Sequence, residues 1–64
     1  MAYSEFNYKI GKKILRYRTD MSLTQAEFAE SLGIKRATLS LIENGEQPPS
    51  LEVLAKLIQI TKMN

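Results

Sequence analysis

Gly33, Gly45 and the pair Pro48–Pro49 cut the chain from residue 24 onward into three short pieces, and this punctuation restricts the fold most. A glycine after a helix-forming run takes the left-handed conformation that ends a helix. Consecutive prolines forbid helix until a new cap appears. The stretch TQAEFAESLGIKRATLSLIENG, residues 24–45, therefore reads as two short helices joined by a turn of three or four residues. Thr24 opens the first, with Glu27 three positions on, so that each side chain satisfies the other's exposed amide. Phe28, Ala29 and Leu32 form its buried side. The second runs from about Arg36 to Asn44, with Leu39 and Ile42 inward. Ahead of them, Ser4 caps a helix in which Phe6, Ile10, Ile14 and Tyr17 make one apolar stripe, ending near Asp20 or Met21. Ser50 caps a fourth helix beginning at Leu51. The spacing thus predicts an all-α fold of four helices and no strands.

With 64 residues the chain is expected to form one domain, residues 1–64, near the lower limit for a self-supporting core. It has no Cys, which removes disulfides and thiolate metal sites. It also lacks His and Trp, and its single Asp20 and six scattered Glu form no acid/base pair. No catalytic residue, metal ligand or cofactor is predicted, and an enzyme is not expected. No apolar run approaches the roughly 20 residues of a membrane span, and the N-terminus has no signal-peptide apolar region. A cytoplasmic protein is expected. The charge is uneven: residues 1–24 carry a net +3 and residues 25–64 a net −1. Either a polyanion faces the first helix, or that helix has a solvated basic face.

Steeply crossing short helices need a small residue at their contact, and Ala29 supplies it. Leu39 and Ile42 anchor the third helix. At about 100° per residue, Arg36, Ala37, Ser40, Leu41 and Asn44 then share its outer face. Small neutral side chains let a helix sink into a groove. Arginine donates twice to guanine, and alanine or leucine touches the thymine methyl. The helix N-terminus, flanked by Lys35 and Arg36, suits phosphate. The pattern points to the major groove of DNA.

The stretches IGKKILRYR, LTQAEFAESLGIKRATLSLIENG and PPSLEVLAKL resemble the phage-repressor and Cro family of helix-turn-helix proteins, the Xre-like family, without gaps over about residues 10–58. The resemblance implies a lambda-repressor-like domain and a bacterial or phage-encoded transcription regulator. It implies that Gln25 contacts phosphate and braces the helix against it. Arg36, Ala37 and Leu41 take base-reading positions. Lys35, Thr38, Ser40 and Asn44 stand where phosphate or a neighbouring base is touched. Arg18 and Glu43 match a buried ion pair between the first and third helices, which fixes an angle more than it adds stability.

The chain departs from the family pattern in three places. Lys35 replaces the usual Ser or Thr cap, Ser22 the usual glycine after the first helix, and Leu41 a usually polar reader. A leucine there also fits a surface covered by protein.

The family's usual fifth helix is not expected, since the chain reads IQITKMN where it would begin. The apolar arc of the fourth helix spans roughly 220°. Its cover is expected from Tyr3 and Phe6, from a second subunit through Leu57 and Ile60, or from the rest of a longer protein. A two-fold homodimer, weak without DNA, on a near-palindromic double-stranded operator is the expected assembly, acting as a repressor. The alternative is an antitoxin-type or other partner-binding helix-turn-helix module that also binds its own promoter.

Overall fold

The computed structural model describes residues 4–62, which form α1 (Glu5–Asp20), α2 (Gln25–Leu32), α3 (Arg36–Glu43) and α4 (Leu51–Thr61). Among the described residues there is no strand. The helix starts follow from side-chain caps. Ser4 Oγ accepts from the amide of Asn7, and Ser50 Oγ from that of Val53. At α2 the reciprocal box is complete: the Glu27 amide donates to Thr24 Oγ1 at 3.1 Å and the Thr24 amide to Glu27 Oε1 at 2.9 Å. Gly33, at φ +73°, ends α2 in the left-handed region. Gly45 does the same after α3, at φ +80°.

Ile14, Phe28, Ala29, Leu32, Leu39, Ile42, Val53 and Leu57 form the core, with Ile10, Tyr17, Leu23, Ile34 and Leu54 packed against it. All four helices contribute. Ala29 is buried, consistent with close packing of α2 and α3. The Tyr17 and Phe28 rings meet at 5.8 Å between centroids. Gly11 lets α1 pass close to the α3 backbone, because a Cβ there would lie 2.3 Å from the Ile42 carbonyl oxygen.

That contact corrects the predicted stripe of α1. The Gly11, Ile14 and Arg18 side of the helix faces α3. At about 100° per residue this carries Phe6 to the margin, where it is 60% exposed. Phe6 therefore leaves the apolar arc of α4 uncovered, and Tyr3 lies outside the described residues. A second correction concerns Leu57, expected above to meet a second subunit. It is 1% exposed and belongs to the core of the single chain, so it has no surface to offer a second subunit. The helical period locates an apolar arc but not which part of it meets α2. The large exposed apolar residues of α4 are Leu51, Ile58 and Ile60.

Ser22 adopts the left-handed conformation, φ +59°, at the end of α1, with its amide donating to the Thr19 carbonyl. A side chain in that region costs about 1–2 kcal/mol that glycine avoids. Ser22→Gly is expected to stabilise the domain by about 1 kcal/mol, partly offset by backbone entropy. Thermal unfolding should show a midpoint a few degrees higher, about 4 °C or more for a domain of this size.

Candidate nucleic-acid interface

Leu39 and Ile42 are fully buried, which fixes α3 about its own axis and turns its other side outward. Arg36, Ala37, Leu41 and Asn44 are exposed on that side, and Thr38 and Ser40 are half-buried beside them. Leu41 keeps 39% of its surface exposed, so the described chain covers it only in part. The outward face thus combines one guanidinium, small or neutral side chains and one apolar contact point. It fits groove entry better than a solvated helix surface.

Lys35 holds the N-cap position of α3 without a side-chain cap, and its ammonium group extends from an exposed residue. The first amides of α3 have no side-chain cap partner there and form, with Lys35 and Arg36, a site of positive potential.

Glu43, on the inner side of α3, is 6% exposed. Arg18 Nε donates to its Oε2 at 2.6 Å and Arg18 Nη2 to its Oε1 at 3.3 Å. The third guanidinium nitrogen of Arg18, Nη1, donates to the Leu23 carbonyl at 2.9 Å. One side chain of α1 thereby holds both the turn before α2 and the end of α3. Among the described residues no buried side-chain nitrogen or oxygen lacks a partner.

Gln25, the first residue of α2, is half-buried between Glu43 and the start of α3. Its Nε2 donates to Glu43 Oε1 at 2.9 Å, and its Oε1 accepts from Arg36 Nη1 at 3.4 Å. Gln25, Lys35, Arg36, Ala37, Leu41 and Asn44 thus border solvent in and around one helix. Ile60 lies apart from them on α4. Sequence reasoning missed Gly11 and the tether from Gln25 to Arg36. A glycine inside a strong helical pattern was the available signal for the first; residues eleven apart gave none for the second.

A helix-turn-helix family model matches residues 14–63. The chain belongs to the helix-turn-helix family, in its phage-repressor and Cro branch. Among curated relatives it is 44% identical over 50 residues to the antitoxin PezA of Streptococcus pneumoniae, covering 78% of this chain and 32% of that protein. It is 41% identical over 49 residues to the ImmF control region 10 kDa protein of Bacillus phage phi105, covering 77% of this chain and 54% of that one. It is 40% identical over 45 residues to an uncharacterised HTH-type transcriptional regulator of Methanocaldococcus jannaschii, covering 70% and 68%. The chain therefore spans a third to two thirds of the length of these relatives. Helix-turn-helix regulators bind DNA and are not a class of enzymes. Among the described residues no helix is long and apolar enough to cross a membrane.

Proposed function

We propose that this helix-turn-helix protein is a sequence-specific transcription regulator, a repressor that binds a near-palindromic double-stranded operator as a homodimer with α3 in the major groove. The observation that carries the reading is the outward face of α3, with Arg36, Ala37, Leu41 and Asn44 exposed and no acidic residue among them. In this reading Arg36 donates to guanine, and Ala37 and Leu41 contact thymine methyls. Gln25, Lys35, Thr38, Ser40 and Asn44 engage phosphates and flanking bases, which sets the register.

One α3 of eight residues reads only a few base pairs. Two copies related by a dyad present their helices to successive major grooves about 34 Å apart. Ile58 and Ile60, 50% and 38% exposed on α4, supply apolar surface for the partner copy. With Leu57 taken by the core, that surface is small, so the free dimer is weak and closes on DNA.

The likeness to PezA favours a second reading, a regulator that also holds a protein partner. Selection from randomised duplexes tests the operator binding that both readings include. Enrichment of a near-palindrome with half-sites about 10 base pairs apart, bound by two copies, is the expected result. Failure to enrich any sequence would reject the operator proposal together with promoter binding in the second reading, and leave only a protein partner.

A further inference from the structure

We infer that Glu43, a buried residue with no surface to offer DNA, sets the base preference of Arg36 by locking the side-chain amide of Gln25. This rests on the reading of α3 as the DNA-reading helix. The linkage runs from Arg18 on α1 to Glu43 at the end of α3, then to Gln25 at the start of α2 and Arg36 at the start of α3.

The chemistry at its two ends leaves the Gln25 amide one orientation. A carboxylate only accepts hydrogen bonds and a guanidinium only donates them. Gln25 Nε2 must therefore face Glu43, at 2.9 Å, and Oε1 must face Arg36, at 3.4 Å. Arg18 holds the same carboxylate through both of its oxygens, so Glu43 cannot turn away. Nε2 carries a second hydrogen, which is available to a phosphate oxygen while the first stays on Glu43. Gln25 can thus bind the DNA backbone and restrain the Arg36 guanidinium at the same time. Restraining that long side chain before DNA arrives lowers the entropy lost when it docks. Glu43 is a positioning residue in this scheme, and its effect reaches the base only through Gln25.

The test compares wild type, Glu43→Gln, Gln25→Met and the double variant on two duplexes. One is the preferred sequence. The other carries adenine for guanine at the pair whose preference Arg36→Ala removes. In Glu43→Gln the new carbonyl keeps the short bond to Arg18 Nε, which puts the new NH2 opposite Gln25. Gln25 then turns its own carbonyl inward and presents NH2 to Arg36, repelling it. The preference for guanine over adenine should fall about five-fold, the equivalent of one modest hydrogen bond.

Gln25→Met leaves Arg18 and Glu43 paired. It should lower the preference by a similar factor while weakening both duplexes through the lost phosphate contact. Adding Glu43→Gln to Gln25→Met should change the preference no further, while the melting temperature falls. Should Glu43→Gln fail to fold, Arg18→Met combined with Glu43→Leu takes its place: it removes the same acceptor from Gln25 and should lower the preference likewise. A wild type that prefers guanine, with a preference Gln25→Met leaves intact or with independent effects of the two changes, overturns this inference only. A wild type with no preference among duplexes removes the DNA-reading proposal and this inference with it.

Discussion

Arg18→Ala is expected to lower stability by about 3–5 kcal/mol, because it leaves a buried carboxylate without its counter-ion. A chain of this length holds only about 3–10 kcal/mol in total, so most or all of its folded population is at risk. The cause is specific. Glu43 is 6% exposed, and losing Arg18 strips it of two of the three side-chain hydrogen bonds it receives, leaving only that from Gln25. The Leu23 carbonyl loses a donor as well. Denaturant unfolding should show a lost or greatly weakened cooperative transition. Arg18→Met combined with Glu43→Leu should recover much of the loss, since an apolar pair needs no compensating charge. Ala at the exposed Arg16 should change stability by less than about 0.5 kcal/mol. An Arg18→Ala protein that melts like wild type would show that the pair holds nothing in place.

Gly11→Ala is expected to destabilise by about 1–3 kcal/mol, the range for overpacking a close contact. Helix propensity alone predicts the opposite, a gain of about 1 kcal/mol from alanine in a helix interior. Packing wins because the added methyl would lie 2.3 Å from the Ile42 carbonyl oxygen and 3.0 Å from that of Glu43. Both are backbone atoms of α3, so neither can rotate aside. Helix α1 must back away from α3, drawing Arg18 from Glu43 and tilting the outward face. Thermal melts and DNA affinity should fall together. A variant as stable as wild type would mean that α1 and α3 cross less closely than described.

Local chemistry made most of the fold legible. Thr24 with Glu27, Ser4, Ser50, Gly33 and Gly45 act within a few residues of their own positions, and each marks a helix end visible in the chain itself. Phase was harder than period. Phe6 and Leu57 both lie on apolar arcs, yet one is exposed and the other buried, because the close contacts of neighbouring helices choose which part of each arc turns inward. The buried pair of Arg18 and Glu43 was reachable only through family resemblance, being 25 residues apart. The Gln25 tether to Arg36 was not reachable at all, since it depends on how α2 and α3 cross.

Binding of the wild-type protein to its enriched duplex and to a scrambled duplex, titrated over a range of salt, tests the central claim most directly. The account predicts tighter binding to the enriched duplex and a negative slope of about 0.9 in log affinity against log salt for each phosphate neutralised. In the same titration Arg36→Ala should lose about 1–3 kcal/mol on the enriched duplex and less on the scrambled one. Equal affinity for both duplexes, or an affinity indifferent to salt, would contradict the assignment of α3 as a DNA-reading helix.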